Sequence, residues 1–167
     1  SDAMTRANEG LLLLRAGKAD KAKEAFLRAF ADSDRTDVAL LVTLGNGLRR
    51  AGAATEAREA MTLAVEARKE RVSPAMLAEL ALAQLATEDG TAAEATLRRA
   101  IGIDAKYATA HYLLGKVLIG RGAKGEAKKS FSRSIELEPN APFRADVERQ
   151  IEALQATSGA RTKPSSR

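Results

Sequence analysis

Residues 111–139 read HYLLGKVLIGRGAKGEAKKSFSRSIELEP, and two small residues in this stretch, Gly115 and Ala127, set the register of the whole chain. Moving 34 residues toward the N-terminus lands on Ala81 and Ala93, a further 36 on Gly45 and Ala57, and 35 more on Gly10 and Ala22. Other columns keep the same register. Phe26, Met61, Leu97 and Phe131 form one; Ala29, Ala64, Ala100 and Ser134 another; Leu44, Leu80 and Leu114 a third. Gly17, Gly52 and Gly122 form a fourth, with Glu88 as its exception. Self-similarity at such a period marks an array of stacked units, each too small to bury its own apolar face.

Each unit reads as two helices and a tight turn. Leu41, Leu44, Gly45 and Leu48 recur at i, i+3, i+4 and i+7, one face of a helix, and Ala57, Met61, Ala64 and Val65 do the same in the segment that follows. Gly45 and Ala57 are the expected close contact between the pair, where a larger side chain forces the helices apart. Gly17, Gly52 and Gly122 follow the first helices, where a left-handed residue ends a helix. Ser73-Pro74 is an N-cap followed by proline at the first helical position. The pattern predicts helices near 5–16, 19–32, 37–50, 54–71, 74–87, 91–102, 107–120, 124–137 and 143–156.

Composition agrees. Ala, Leu, Glu, Lys and Arg, the strong helix formers, dominate the 167 residues. Hydrophobic residues reach 45% but aromatics only 4%, so the core must be aliphatic. The chain has no Cys, which excludes disulfides, thiolate metal sites and a Cys nucleophile. Its one His, His111, cannot make a multi-His metal site. No apolar run is long enough to span a membrane. Arg161, Lys163 and Arg167, in an acid-free end, carry more than half of the formal net charge of +5. The part before them is only slightly basic, which argues against nucleic acid.

The segment His111-Tyr112-Leu113-Leu114-Gly115, with Leu118, Ala127, Phe131 and Pro139, resembles the signature of the tetratricopeptide repeat family. The departures are His111 where the family often has Trp, Leu13, Leu48, Gln84 and Leu118 where Tyr is common, and no equivalent of Pro139 in the other units. The resemblance covers about residues 3–141. It implies an all-α, right-handed α-solenoid of about four helix-turn-helix units, at 3–36, 38–71, 74–107 and 108–141, with a C-terminal capping helix at 142–156. Together these make one domain, residues 4–156. Ser1-Asp2-Ala3 before Met4 reads as a cloning scar, and residues 157–167 as a disordered tail. The first unit is the most polar, with Arg6 and Glu9 at places that are apolar elsewhere, as befits an end of the array.

The family resemblance further implies that the first helices line a concave groove that binds a peptide or helix of a partner protein. Carried over by position, the groove residues are Leu11, Leu14 and Arg15 in the first unit, and Val42, Asn46, Arg49 and Arg50 in the second. The third contributes Ala78, Leu82 and Leu85, and the fourth Thr109, Tyr112, Lys116 and Ile119. This face is largely apolar, with a basic patch from Arg49, Arg50 and Lys116, so the expected partner has apolar anchors and acidic character. Gly45-Asn46 resembles one part of the family's carboxylate clamp, but Glu79 and Tyr112 replace its other members and the clamp is incomplete.

No site for chemistry emerges, and no cofactor is expected. Gly120-Arg121-Gly122-Ala123-Lys124-Gly125 matches G-x-G-x-x-G, but the fingerprint needs a strand before it and a helix stands there instead. Gly115-Lys116 lacks the rest of a P-loop. His111 is an aromatic substitute inside the repeat. Glu56 with Glu59, and Glu136 with Glu138, lie on helix faces among Arg and Lys as solvated ion pairs. The expected function is therefore a non-enzymatic interaction scaffold or adaptor. The alternative is a structural subunit that self-associates as a homo-oligomer or docks into a larger assembly. The default compartment is the cytoplasm, or the periplasm where an export signal has been removed.

Overall fold

A computed structural model describes residues 2–159 as nine helices and one short 3₁₀ turn, with no strand among the described residues. The helices are α1 (Ala3–Arg15), α2 (Ala19–Asp32), α3 (Val38–Arg50), α4 (Ala54–Arg68), α5 (Pro74–Ala86), α6 (Gly90–Ile103), α7 (Ala108–Gly120), α8 (Lys124–Leu137) and α9 (Arg144–Gly159), with the 3₁₀ turn at Lys69–Arg71. The first eight form four hairpins, and each hairpin packs on the next. In addition α1 touches α3, α3 touches α5 and α5 touches α7, while each even-numbered helix packs mainly between the odd helices on either side. The odd helices thus make the tighter layer, on the inside of the curve.

One turn geometry repeats in all four hairpins. The Lys18, Ala53, Asp89 and Ala123 amides reach back to the carbonyls of Leu13, Leu48, Gln84 and Leu118 at 2.8–2.9 Å, the long bond of a Schellman motif. That motif needs a left-handed residue, and Gly17, Gly52 and Gly122 supply it at φ 70°, 80° and 75°. Glu88 takes the same place at φ 60°, so the backbone keeps the register although the side chain departs from it. The first helices of the first three units also start alike. Asp2, Asp37 and Ser73 each accept an amide of the first turn with their side chains.

The sequence columns are the core. Phe26, Met61, Leu97 and Phe131 are fully buried, as are Ala22, Ala57, Ala93 and Ala127. Gly45 lies against the Ala57 backbone as expected, and Met61 comes closer still. A Cβ on Gly45 would lie 2.6 Å from Met61 and 3.4 Å from the Ala57 carbonyl oxygen. Gly10 and Gly115 likewise face the rings of Phe26 and Phe131 at 2.7 Å. In the first, second and fourth units the glycine of the first helix thus lies against the large residue of the second. Phe26 is met a second time, by Gly47 of the next unit, whose Cβ would fall 2.4 Å from the ring.

Three boundaries differ from expectation. Residues 69–71, expected to extend α4, form the 3₁₀ turn, because Lys69 caps α4 at φ 50° and the chain turns to bury Val72. Helix α9 runs on to Gly159, so residues 157–159, expected in the tail, are helical; Gln155 and Ala156 favour helix, and nothing stops it before glycine. The rest of the tail lies outside the described residues. Asp2, set aside as part of a scar, caps α1 through a 2.7 Å bond from the Thr5 amide. Helix α9 covers α8 with Val147, Ile151 and Leu154, of which Val147 is fully buried.

Candidate functional site

The odd helices carry a stripe of side chains whose apolar members pack against the core and remain partly exposed. Leu11, Leu14, Val42, Asn46, Arg49, Leu82, Leu85, Thr109, Tyr112 and Ile119 are half-buried, and Arg15, Arg50 and Lys116 are exposed. Ala78 departs from the expected set. It is buried at 3% exposure, because its short side chain is enclosed where α5 packs among its neighbours, and it offers no surface to a ligand.

The basic patch is also not as expected. Arg49 stands 3.5 Å from the Glu79 carboxylate of the next first helix. The pair is loosely made, since Arg49 Nε and Glu79 Oε2 are both buried without a hydrogen-bond partner. Lys116 lies 3.9 Å from Asp146 of α9 and donates to the Tyr112 hydroxyl at 3.3 Å. Two of the three expected cations therefore already face carboxylates.

Asp146 belongs to a cluster that the sequence reading missed. The Tyr112 hydroxyl donates to Asp146 at 2.8 Å, Arg149 donates to its other oxygen at 3.2 Å, and Phe143 stacks on the Tyr112 ring at 4.5 Å. The hydrogen bond from Tyr112, with Lys116 close by, holds the Asp146 carboxyl below its ordinary value against the opposing effect of burial. Burial and then the bond to Asp146 push the Tyr112 phenol above its ordinary value. The signal was present in the register. Tyr112 and Asp146 are 34 residues apart, one repeat, so α9 stands in the register of a fifth first helix.

Beside this cluster lies a hollow of about 350 Å³ between α5 and α7, bordered by Leu85, Glu88, Lys116 and Gly120. A larger one, about 510 Å³, sits at Val38 and the 3₁₀ turn. Of the other motifs, His111 Nε2 is 3.0 Å from the Ala105 carbonyl, which can only accept, so the ring donates and pins the preceding loop. Glu59 pairs with Arg35 and Glu136 with Arg133 at the surface. Gly122 is the hairpin turn after α7. Among the described residues no three His, Asp or Glu side chains gather to hold a metal, and no helix is long and apolar enough to cross a membrane.

Residues 108–141 match the family model described as tetratricopeptide repeat. No curated protein matches the chain. Among solved structures, the crystal structure of MamA is similar at 25% identity over 91% of this chain and 85% of that one, with a TM-score of 0.72. The first tetratricopeptide repeat domain of Spaghetti (RPAP3), bound to the HSP90 peptide SRMEEVD, is 22% identical over 75% of this chain and 96% of that one, with a TM-score of 0.66. The Yersinia enterocolitica type III secretion chaperone SycD, in complex with a peptide of the translocator YopD, is 17% identical over 72% of this chain and 94% of that one, at 0.66. The last two likenesses are of fold. Residues 108–141 thus match a tetratricopeptide repeat, and the chain as a whole has a helical-repeat solenoid fold similar to these structures.

Proposed function

We propose that the chain is a non-enzymatic adaptor that holds a peptide or helix of a partner protein on its inner face. The observation that carries this reading is the row of half-buried apolar side chains Leu11, Leu14, Val42, Leu82, Leu85 and Ile119 on one layer of helices. Apolar surface left contiguous on a concave face is what an amphipathic partner covers. Two structures of similar fold carry a bound peptide. The test is affinity isolation from the native host with wild type and a Leu82→Lys/Leu85→Lys variant whose helical content is checked by circular dichroism. Loss of a specific partner from the variant supports the groove, and equal recovery from both removes it.

Docking into a larger assembly is the second reading, and Leu12 favours it. Gly47, Ala83 and Val117 hold its place in the later units and are all buried, whereas Leu12 is 63% exposed. Light scattering after size exclusion decides the self-association form of this reading. A monomer mass independent of concentration counts against it.

A further inference from the structure

The cations of the inner face fall into two groups. Arg49 and Lys116 stand at Glu79 and Asp146. Arg15 and Arg50 are exposed and have no carboxylate at ion-pair distance among the described residues. They are equivalent residues, the last of α1 and of α3, and those helices touch. Packed helices lie about 8–10 Å apart, so Arg15 and Arg50 occupy neighbouring positions on the rim where the first helices end. Each is one turn beyond an inner residue, Leu11 for Arg15 and Asn46 for Arg50, with Leu14 next to Arg15. The third and fourth units have Ala86 and Gly120 at this place, so the uncompensated charge is confined to the N-terminal half.

Resting on the groove reading above, we propose that Arg15 and Arg50 form a two-point cradle for carboxylates of an acidic, amphipathic partner segment whose apolar side chains lie on Leu11, Leu14 and Val42. Arg49 and Lys116 are structural cations and do not read the partner. Guanidinium groups suit carboxylates because their planar fork meets both oxygens. Nucleic acid is the poorer fit, since bases need open aromatic faces and Tyr112 is covered by Phe143. Cations at helix C-termini also complement the helix dipole, but that role predicts a change in stability and none in binding.

The probe is a display library of random twelve-residue peptides, selected separately on the wild type, on Arg15→Gln/Arg50→Gln and on Arg49→Gln. The expected result is enrichment of Asp and Glu beside Leu on the wild type and on Arg49→Gln, lost on the double variant. A labelled selected peptide then binds the double variant about tenfold more weakly, as two exposed ion pairs imply. The difference shrinks at high salt. Selection without acidic enrichment, or acidic enrichment that survives the double variant, overturns the cradle and leaves the groove standing. Selection of no peptides at all overturns both. Displacement of the peptide by a single-stranded oligonucleotide at equal concentration also overturns the cradle.

Discussion

At the residue scale the glycines are not equivalent, and the structure ranks them. A Cβ on Gly45 would meet Cγ and Sδ of Met61, an unbranched side chain that can re-route, whereas one on Gly47 would strike the rigid ring of Phe26, itself faced by Gly10 as well. Alanine also gains about 1 kcal/mol of helix propensity over glycine. Gly45→Ala is therefore expected near neutral, and Gly47→Ala to destabilise by about 1–3 kcal/mol, both read from urea unfolding midpoints. Gln84 is the opposite case. It is 8% exposed, its Oε1 has no partner, and Leu13, Leu48 and Leu118 hold the same column in the other units. Gln84→Leu should raise stability by about 1 kcal/mol, and an unchanged or lower melting temperature would show that the amide is satisfied after all. Residues of this kind were legible as columns of small and apolar side chains. The ion pairs were not, because Arg49 and Glu79 meet only once α3 and α5 become neighbours.

At the element scale, α9 is held by apolar packing and by the Tyr112–Asp146 bond, and the bond gives it a pH range. Asp146 has a lowered pKa in the folded state, so its contribution is present above the ordinary carboxylate value of 3.8 and is lost as pH falls through the folded value. Tyr112 has a raised pKa, so its contribution is present below the ordinary phenol value of 10.0 and is lost as pH rises through the folded value. Thermal unfolding across pH should show both limbs. Tyr112→Phe should flatten the alkaline limb and reduce the acid one while keeping the stack on Phe143. An alkaline limb that survives unchanged would place its origin elsewhere. The sequence pattern located α9 through Phe143, Val147, Ile151 and Leu154 but not its inner-face contacts. Periodicity reports which face is apolar, and Asp146 is polar on a face that matters.

At the scale of the whole molecule, each hairpin contacts only its neighbours, so protection against opening should vary along the array. Units two and three are supported on both sides. They are also tied across their joint by Arg58, which donates to Thr87 Oγ1 at 3.1 Å and Asp89 at 2.8 Å while Asp89 caps α6. Hydrogen exchange should be slowest in α3 to α6 and fastest in α1 and α9. Uniform protection would mean that the array opens as one unit. The repeat fold was legible because register is written in residue size and repeats along the chain. The inner face was legible only as positions, since its electrostatics depends on which partners α5 and α9 bring.

The ring of Phe26 between Gly10 and Gly47 bears on how such a chain can change by gene duplication. In the second-helix column the side chains run Phe26, Met61, Leu97, and in the facing column of the next unit they run Gly47, Ala83, Val117, all buried. The largest side chain of the first column, Phe26, meets the residue with none in the second, Gly47. Copying the first unit in front of the fourth would set a phenyl ring toward a valine, and copying the third in front of the second would set a leucine toward a bare backbone. Reordering the array is therefore expected to demand a paired substitution wherever a new joint brings the Phe26 ring against a residue larger than glycine.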